Sequence, residues 1–262
     1  MQLVLLCGGK GTRMREETEY RPKPLVLIGG KPILWYIMKM YSYYGVNDFI
    51  LCTGYKGDMI KQYFMDMYWR NNDFTLHMGE KNLIEYETKE KENWNITIVD
   101  TGQETLTAGR LKYIKKYIKE ENFLMTYGDG LSNVNINKVI EHHMSKGKCV
   151  TITGVHPMSP FGLIEIENGI AKSFKEKPRL NDVINGGFMV MNKNVFNYIP
   201  EEDCMFEDTP LKTIAKDNEL AVYEHNDFWK AVDTFKDVEE VNRMYDSGIT
   251  PWIVWKDNSK RS

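Results

Sequence analysis

The chain has 262 residues, 42% of them apolar and 27% charged, with a net charge of −3. That composition belongs to a globular protein with a sizeable core, and it gives no general attraction to nucleic acid or to an anionic membrane. No apolar run approaches the ~20 residues needed to cross a bilayer, no cleaved signal is evident, and Cys7, Cys52, Cys149 and Cys204 stand far apart, so a cytoplasmic protein with reduced thiols is expected.

The chain opens on Leu3-Val4-Leu5-Leu6, an apolar run that suits a buried strand. A glycine loop follows at once, Gly8-Gly9-Lys10-Gly11-Thr12-Arg13. Without a Cβ the glycines let the backbone bend sharply and press its N–H groups against an anion. Ile33, Leu34, Ile37, Met38 and Tyr41 predict a helix over 31–44, closed by Gly45. A strand is expected over 48–53, then a helix with Met59, Ile60, Tyr63, Phe64 and Met67 on its apolar face. The segment 73–95 is charged and poorly periodic, and reads as a long insertion that is mobile or touches another subunit. A strand over 95–99, a helix over 107–118, a strand over 123–127 and a helix marked by Ile136, Val139 and Ile140 complete the first half.

Repeated alternation of this kind predicts an α/β fold, a mostly parallel sheet flanked by helices. Ligands of such sheets bind at the carboxyl ends of the strands, where the glycine loop and the turn Gly128-Asp129-Gly130 would both lie. The second half is mixed. A strand over 148–155, a hairpin of 163–166 with 171–174 turning at Asn168-Gly169, and a strand over 186–191 are expected, then helices near Val195 and over 210–215. A strand over 220–224 and a closing helix over 235–245 follow, and the polar tail 252–262 is expected to be loose.

Arg13 and Lys23 bring the positive charge that a polyphosphate needs, and Pro22 and Pro24 limit where the Lys23 amine points. The dinucleotide fingerprint fails, because it needs glycine where Met14 stands. The Walker pattern fails too, because Lys10 is followed by Gly11. Asp129, between glycines at a strand end, is well placed to hold a divalent cation, and Asp233 supplies a second carboxylate. Two carboxylates plus substrate phosphates suit Mg²⁺. His142 and His143 are adjacent, so they do not share a helix face and read as structural or solvated.

The order GGKGTR, then PKP, then IGGKPI resembles the signature of the sugar-phosphate nucleotidyltransferases. Glu16-Glu17-Thr18 stands where the thymidylyl and uridylyl enzymes carry proline–leucine–threonine, and this variant is similar to the glucose-1-phosphate cytidylyltransferase family. Phe161-Gly162, Glu176-Lys177-Pro178, Asn185-Gly186-Gly187-Phe188 and Thr107-Ala108-Gly109-Arg110 match further motifs of that family in order. Pro160, Met189 and Val232 depart from it, standing for arginine, phenylalanine and methionine.

The resemblance implies a Rossmann-like, GT-A-like fold in one domain over 1–262. Residues 1–147 would bind mainly nucleotide, 148–234 mainly acceptor, and 235–262 would form a helix and tail. It implies CMP transfer from CTP to α-D-glucose 1-phosphate, giving CDP-glucose and pyrophosphate, by a homo-oligomer. Arg13, Lys23 and Asp129 would be catalytic. The nucleotide would meet Leu6, Gly8, Gly9, Gly11, Thr12, Arg13, Lys23, Thr107, Arg110 and Gly128. The acceptor would meet Gly162, Glu176, Lys177, Asn185, Gly186 and Trp229, and Asp129 with Asp233 would hold Mg²⁺. Another sugar phosphate, or glycerol phosphate, is the alternative acceptor. A catalytically silent regulatory subunit is the alternative of another class, and retention of Lys23, Asp129, Lys177 and Asp233 argues against it.

Overall fold

The computed structural model describes residues 1–11, 14, 18–79, 83–87 and 92–256. The first half runs β1 (Gln2–Leu6), β2 (Leu27–Ile28), β3 (Lys31–Pro32), α1 (Ile33–Tyr43), β4 (Asp48–Thr53), α2 (Gly57–Asn71), β5 (Asp73–His77), β6 (Leu83–Glu87) and β7 (Asn95–Asp100). After it come α3 (Thr107–Ile114), β8 (Asn122–Tyr127), β9 (Gly130–Ser132), α4 (Ile136–Lys146) and β10 (Val150–Val155). The chain continues through β11 (Leu163–Glu167), β12 (Ile170–Lys175), β13 (Ile184–Asn185), β14 (Met189–Asn192), α5 (Thr209–Lys216), β15 (Leu220–His225), β16 (Trp229–Ala231) and α6 (Phe235–Asp246).

One eight-stranded sheet organises the molecule, in the order β7-β4-β1-β8-β14-β10-β15, with β13 on the same edge of β10 as β14. β7, β4, β1 and β8 pair in parallel, β14 runs against β8 and β10, and β15 is parallel to β10. The fold is therefore α/β with a mostly parallel mixed sheet, as expected. The side-chain period of two divides the core between its faces. Leu3 and Leu5 of β1, with Phe49 and Leu51 of β4, pack against α1 and α6 on one face. Val4 and Leu6, with Ile50 and Cys52, pack against α3 and α5 on the other. Covered on both sides, these strands are near-continuous apolar runs, which is why the sequence signal for them is strong.

The differences from expectation have local causes. α1 starts at Ile33, because Pro32 keeps Lys31 extended and Lys31-Pro32 pairs back on Leu27-Ile28. The strand expected over 186–191 is broken, because Gly187 and Phe188 both take positive φ, at +78° and +47°. The stretch near Val195 is a 3₁₀ helix, Lys193–Tyr198. The insertion 73–95 contains the β5–β6 hairpin, in which Phe74 pairs with Tyr86 and Leu76 with Ile84 on one face. The tail begins later than expected, since Trp252 is 1% exposed and rings with Tyr36 and Phe228. In the second half β10, β14 and β15 extend the central sheet, and the β11–β12 hairpin stands apart from it.

Candidate active site

β1 and β4 end side by side, and the Cys7 N–H prolongs their ladder by donating to the Cys52 carbonyl at 2.9 Å. The chain then leaves the sheet as the glycine loop. A Cβ on Gly8 would meet Arg110 Nη1 at 2.0 Å, so only glycine lets the backbone pass so close. Gly11 sits at φ +61°, and its carbonyl accepts from the Thr18 hydroxyl at 3.1 Å and the Met14 N–H at 3.0 Å. Thr12 and Arg13, expected in the same cradle, lie outside the described residues, as do Glu16 and Glu17.

Arg110 is 4% exposed. Its Nη1 donates to the Thr53 carbonyl at 3.0 Å, the Thr101 hydroxyl at 2.6 Å and the Gly102 carbonyl at 2.9 Å. Its Nη2 donates to the Gly8 carbonyl at 3.1 Å. The guanidinium thus ties together the loops that follow β1, β4 and β7. It also lines the cleft in which the sequence reading places it beside the nucleotide.

Two distant carboxylates meet because β9 and β16 pair antiparallel, with Gly130 opposite Ala231. Asp129 precedes the first strand of this ribbon and Asp233 follows the second, so both leave it at one end, and the Val232 N–H donates to the Asp129 carbonyl at 3.0 Å. Beyond Asp233, Thr234 caps α6 in a capping box with Asp237. Lys23 reaches them from a 3₁₀ turn, Lys23–Leu25, that follows Pro22. Its Nζ donates to Asp129 Oδ2 at 2.6 Å and to Asp233 Oδ1. Burial alone would lower the pKa of this ammonium, but the Asp129 and Asp233 carboxylates outweigh it and hold the value above the ordinary one. Lys23 is therefore charged at neutral pH.

The chemistry of this donor set suits a divalent cation. Two hard carboxylates converge on one cationic centre, here the ammonium, at the mouth of the glycine loop. Among the described residues no cluster of three or more His, Cys, Asp and Glu groups could hold a metal. Mg²⁺ asks for no more than one or two protein carboxylates beside phosphates and water.

These groups open onto a cleft of about 810 Å³. Leu6, Gly8, Gly9, Gly11, Thr107, Arg110 and Gly128 line it, together with Asn185, Gly186 and Trp229 and with Lys23, Asp129 and Asp233. The Trp229 indole N–H donates to the Gly186 carbonyl at 2.8 Å. The Asn185 Oδ1 accepts from the Gly187 N–H at 3.0 Å, fixing the kinked backbone there. Burial raises the Cys7 thiol pKa and pushes Cys52 up to about 12, so neither is a thiolate nucleophile at neutral pH.

A family model described as nucleotidyl transferase matches residues 2–248. The chain belongs to this family. "Probable glucose-1-phosphate cytidylyltransferase" of Bacillus subtilis is 52% identical over 97% of this chain and 100% of its own length. Glucose-1-phosphate cytidylyltransferase of Salmonella typhimurium is 45% identical over 98% of this chain and 100% of its own length. These identities place the nucleotidyl transferase described here with the glucose-1-phosphate cytidylyltransferases. The crystal structure of HddC from Yersinia pseudotuberculosis, complexed with GMP-PN, shares the fold at a TM-score of 0.66 and 23% identity, covering 93% of this chain and 99% of that one.

In this nucleotidyl transferase the remaining expected acceptor residues lie on the β11–β12 hairpin and its flanks. Gly162 precedes β11, and Glu176 and Lys177 follow β12. They lie near one another: a Cβ on Gly162 would come within 3.1 Å of Glu176 Oε2, and Lys177 Nζ is 3.8 Å from Glu176 Oε1. Lys177 takes φ +44°. The hairpin is fastened to the chain beside it by the Ser159 N–H on the Pro178 carbonyl at 2.8 Å and the Leu180 N–H on the Pro157 carbonyl at 2.9 Å.

Tyr127 and Glu207 are among the cleft residues that escaped the sequence reading of this nucleotidyl transferase. The Tyr127 hydroxyl donates to Glu207 Oε1, and the Thr107 hydroxyl donates to Glu207 Oε2 at 2.8 Å. Burial, then the Glu207 charge, raises the pKa of the Tyr127 phenol. Glu207 lies in no motif, and its partners are 80 and 100 residues away, so no local pattern signals it.

Proposed function

We propose that this enzyme transfers CMP from CTP to α-D-glucose 1-phosphate, giving CDP-glucose and pyrophosphate. The observation that carries the reading is the convergence of Lys23, Asp129 and Asp233 at the mouth of the glycine loop. An oxygen of the acceptor phosphate attacks the α-phosphorus of CTP, the bond to the bridging oxygen of the β-phosphate breaks in line, and pyrophosphate leaves. Little covalent chemistry falls to the protein, so its task is positioning and charge neutralisation. Loop amides from Gly8 to Gly11, with Thr12 and Arg13, cradle the triphosphate. Lys23 turns toward the α-phosphate as charge develops there. Lys177 and Glu176, brought in on the β11–β12 hairpin, hold the acceptor phosphate and ring hydroxyls, while Asn185, Gly186 and Trp229 line the ring's wall. Asp129 and Asp233 would hold Mg²⁺, which supplies charge stabilisation to the nucleotide phosphates when bound.

The same reading divides the labour of the chain. Residues 1–147 serve mainly the nucleotide, 148–234 the acceptor, and 235–262 close the core. A homo-oligomer in the cytoplasm fits the half-exposed apolar face of the β5–β6 hairpin and the free cysteines. Among the described residues no helix is long and apolar enough to cross a membrane.

Pyrophosphate release from each nucleoside triphosphate, measured against a panel of phosphorylated acceptors, tests the reaction. CTP with glucose 1-phosphate is expected to be strongly preferred, since a site built for an amino group leaves buried groups unpaired against the keto group of UTP. Comparable rates with UTP or dTTP would remove the cytidylyl assignment. Release with glycerol phosphate and not glucose 1-phosphate would remove the glucose one and keep the chemistry.

Lys23 has its own test. Lys23→Ala is expected to lower kcat by more than it raises the KM for CTP, because an amine that answers developing charge acts in the transition state. A rise in KM with kcat unchanged would make Lys23 a binding residue.

A further inference from the structure

Glu207 is a negative charge in a cleft that the reading above fills with phosphates. A carboxylate facing phosphate oxygens would repel them, so Glu207 must meet an uncharged part of the ligands. Its geometry shows what kind of part. Each carboxylate oxygen already accepts one protein hydroxyl, Oε1 from Tyr127 and Oε2 from Thr107 at 2.8 Å. Those two bonds fix the plane of the group. The Thr107 hydroxyl is itself held, because it accepts from the Phe206 N–H at 2.7 Å.

An ionised carboxylate has about two acceptor sites on each oxygen. One per oxygen therefore remains on a group that lines the cleft. Asn185 and the neighbouring Gly186, whose carbonyl takes the Trp229 indole N–H, line the same cleft as Tyr127. Glu207 is thus tied through Tyr127 to the end of β8 and through Thr107 to the start of α3, in the cleft that Asn185, Gly186 and Trp229 also line. A rigid, charged acceptor in that place is matched by hydroxyl donors.

We propose that Glu207, clamped by Tyr127 and Thr107, is a specificity residue that accepts a hydrogen bond from a sugar-ring hydroxyl of the bound ligands. The inference rests on the nucleotidyl-transfer reading. The hydroxyl has two possible sources, the hexose of the acceptor and the ribose of the nucleotide, and the test separates them.

Binding of CDP-glucose is measured by calorimetry to the wild type and to Glu207→Gln, which keeps the shape and removes the charge. The measurement is repeated with UDP-glucose and with CDP-glucose analogues lacking one hydroxyl of the glucose ring or of the ribose. Glu207→Gln is expected to weaken CDP-glucose by roughly tenfold to a hundredfold, the scale of one hydrogen bond to a charged group. That penalty should vanish with a single analogue, and whether the missing hydroxyl is on glucose or ribose names the source. Glu207→Asp, which withdraws the carboxylate by one methylene, should single out the same analogue and serves if the amide variant does not fold. An equal penalty across all analogues would reduce Glu207 to a structural brace and overturn the proposal. A penalty that vanished only with UDP-glucose would make it a base reader and overturn it as well, as would failure of the wild type to bind CDP-glucose. Turnover of CTP with glucose 1-phosphate by the wild type is scored separately and bears on the reaction alone.

Discussion

Asp129→Asn and Asp233→Asn are each expected to lower turnover by roughly 10²- to 10³-fold, the scale for losing one preorganised electrostatic partner. Each variant keeps the shape of the side chain and removes its charge. The ammonium of Lys23 then has one full counter-charge where it had two, and Mg²⁺ would lose one of its two carboxylates. The fold should not suffer. Both side chains are about one-third exposed, and the β9–β16 ribbon that presents them is held by backbone pairing. Steady-state rates at saturating Mg²⁺, with melting curves alongside, decide the matter. Near-wild-type rates in both variants would sink the metal assignment, and a collapsed melting temperature would show that the carboxylates support the fold instead.

Arg110→Ala is expected to act in the opposite sense, through stability. The side chain is buried, and its removal takes away the donor of the Gly102 carbonyl and a charged donor from the Gly8 and Thr53 carbonyls, which keep the Tyr55 and Thr101 N–H groups. A hydrogen bond to a charged group contributes about 1.5–3 kcal/mol. Partial relaxation and entry of water bring the expected loss to about 2–4 kcal/mol, or a melting temperature lower by roughly 5–15 °C. Arg110→Lys should recover little of it. An ammonium is a point donor and does not span the separate acceptors that the planar fork reaches at once. Denaturant titration of the three proteins gives the answer, and an unchanged midpoint in Arg110→Ala would mean that the loops hold themselves.

What could be read before the structure follows from the range of each interaction. The strands of the parallel core announced themselves because both faces are covered, so β4 matches its expected bounds and β1 and β8 run one residue longer. Asp129 was legible because its glycine neighbours and strand position are local features. The β5–β6 hairpin was not. Its apolar face is only Phe74, Leu76, Ile84 and Tyr86, diluted by charges, and a two-stranded element carries too little periodicity to stand out. Arg110 was placed beside the nucleotide on a local motif, yet its partners lie on three separate loops. Gly162, Glu176 and Lys177 were recognised as a group, and the pairing of β11 with β12 brings them near one another. Glu207 owes its place to Tyr127 and Thr107, and only the packed sheet brings those two together.

The ammonium shared by Asp129 and Asp233 sets up a thermodynamic linkage. Any divalent cation that these carboxylates take would compete with the Lys23 ammonium, which already bonds one oxygen of each. On its own that exchange sets one cation against another, and the displaced ammonium moves toward water with no counter-charge waiting. A triphosphate changes the balance by offering Lys23 a second set of anionic oxygens as it offers the metal its remaining ligands. Metal and nucleotide should then bind with positive coupling, each lowering the cost of admitting the other, and the coupling must be equal in both directions. An enzyme built this way holds little free metal while it waits, and its own lysine keeps the two carboxylates apart from repulsion until the substrate arrives.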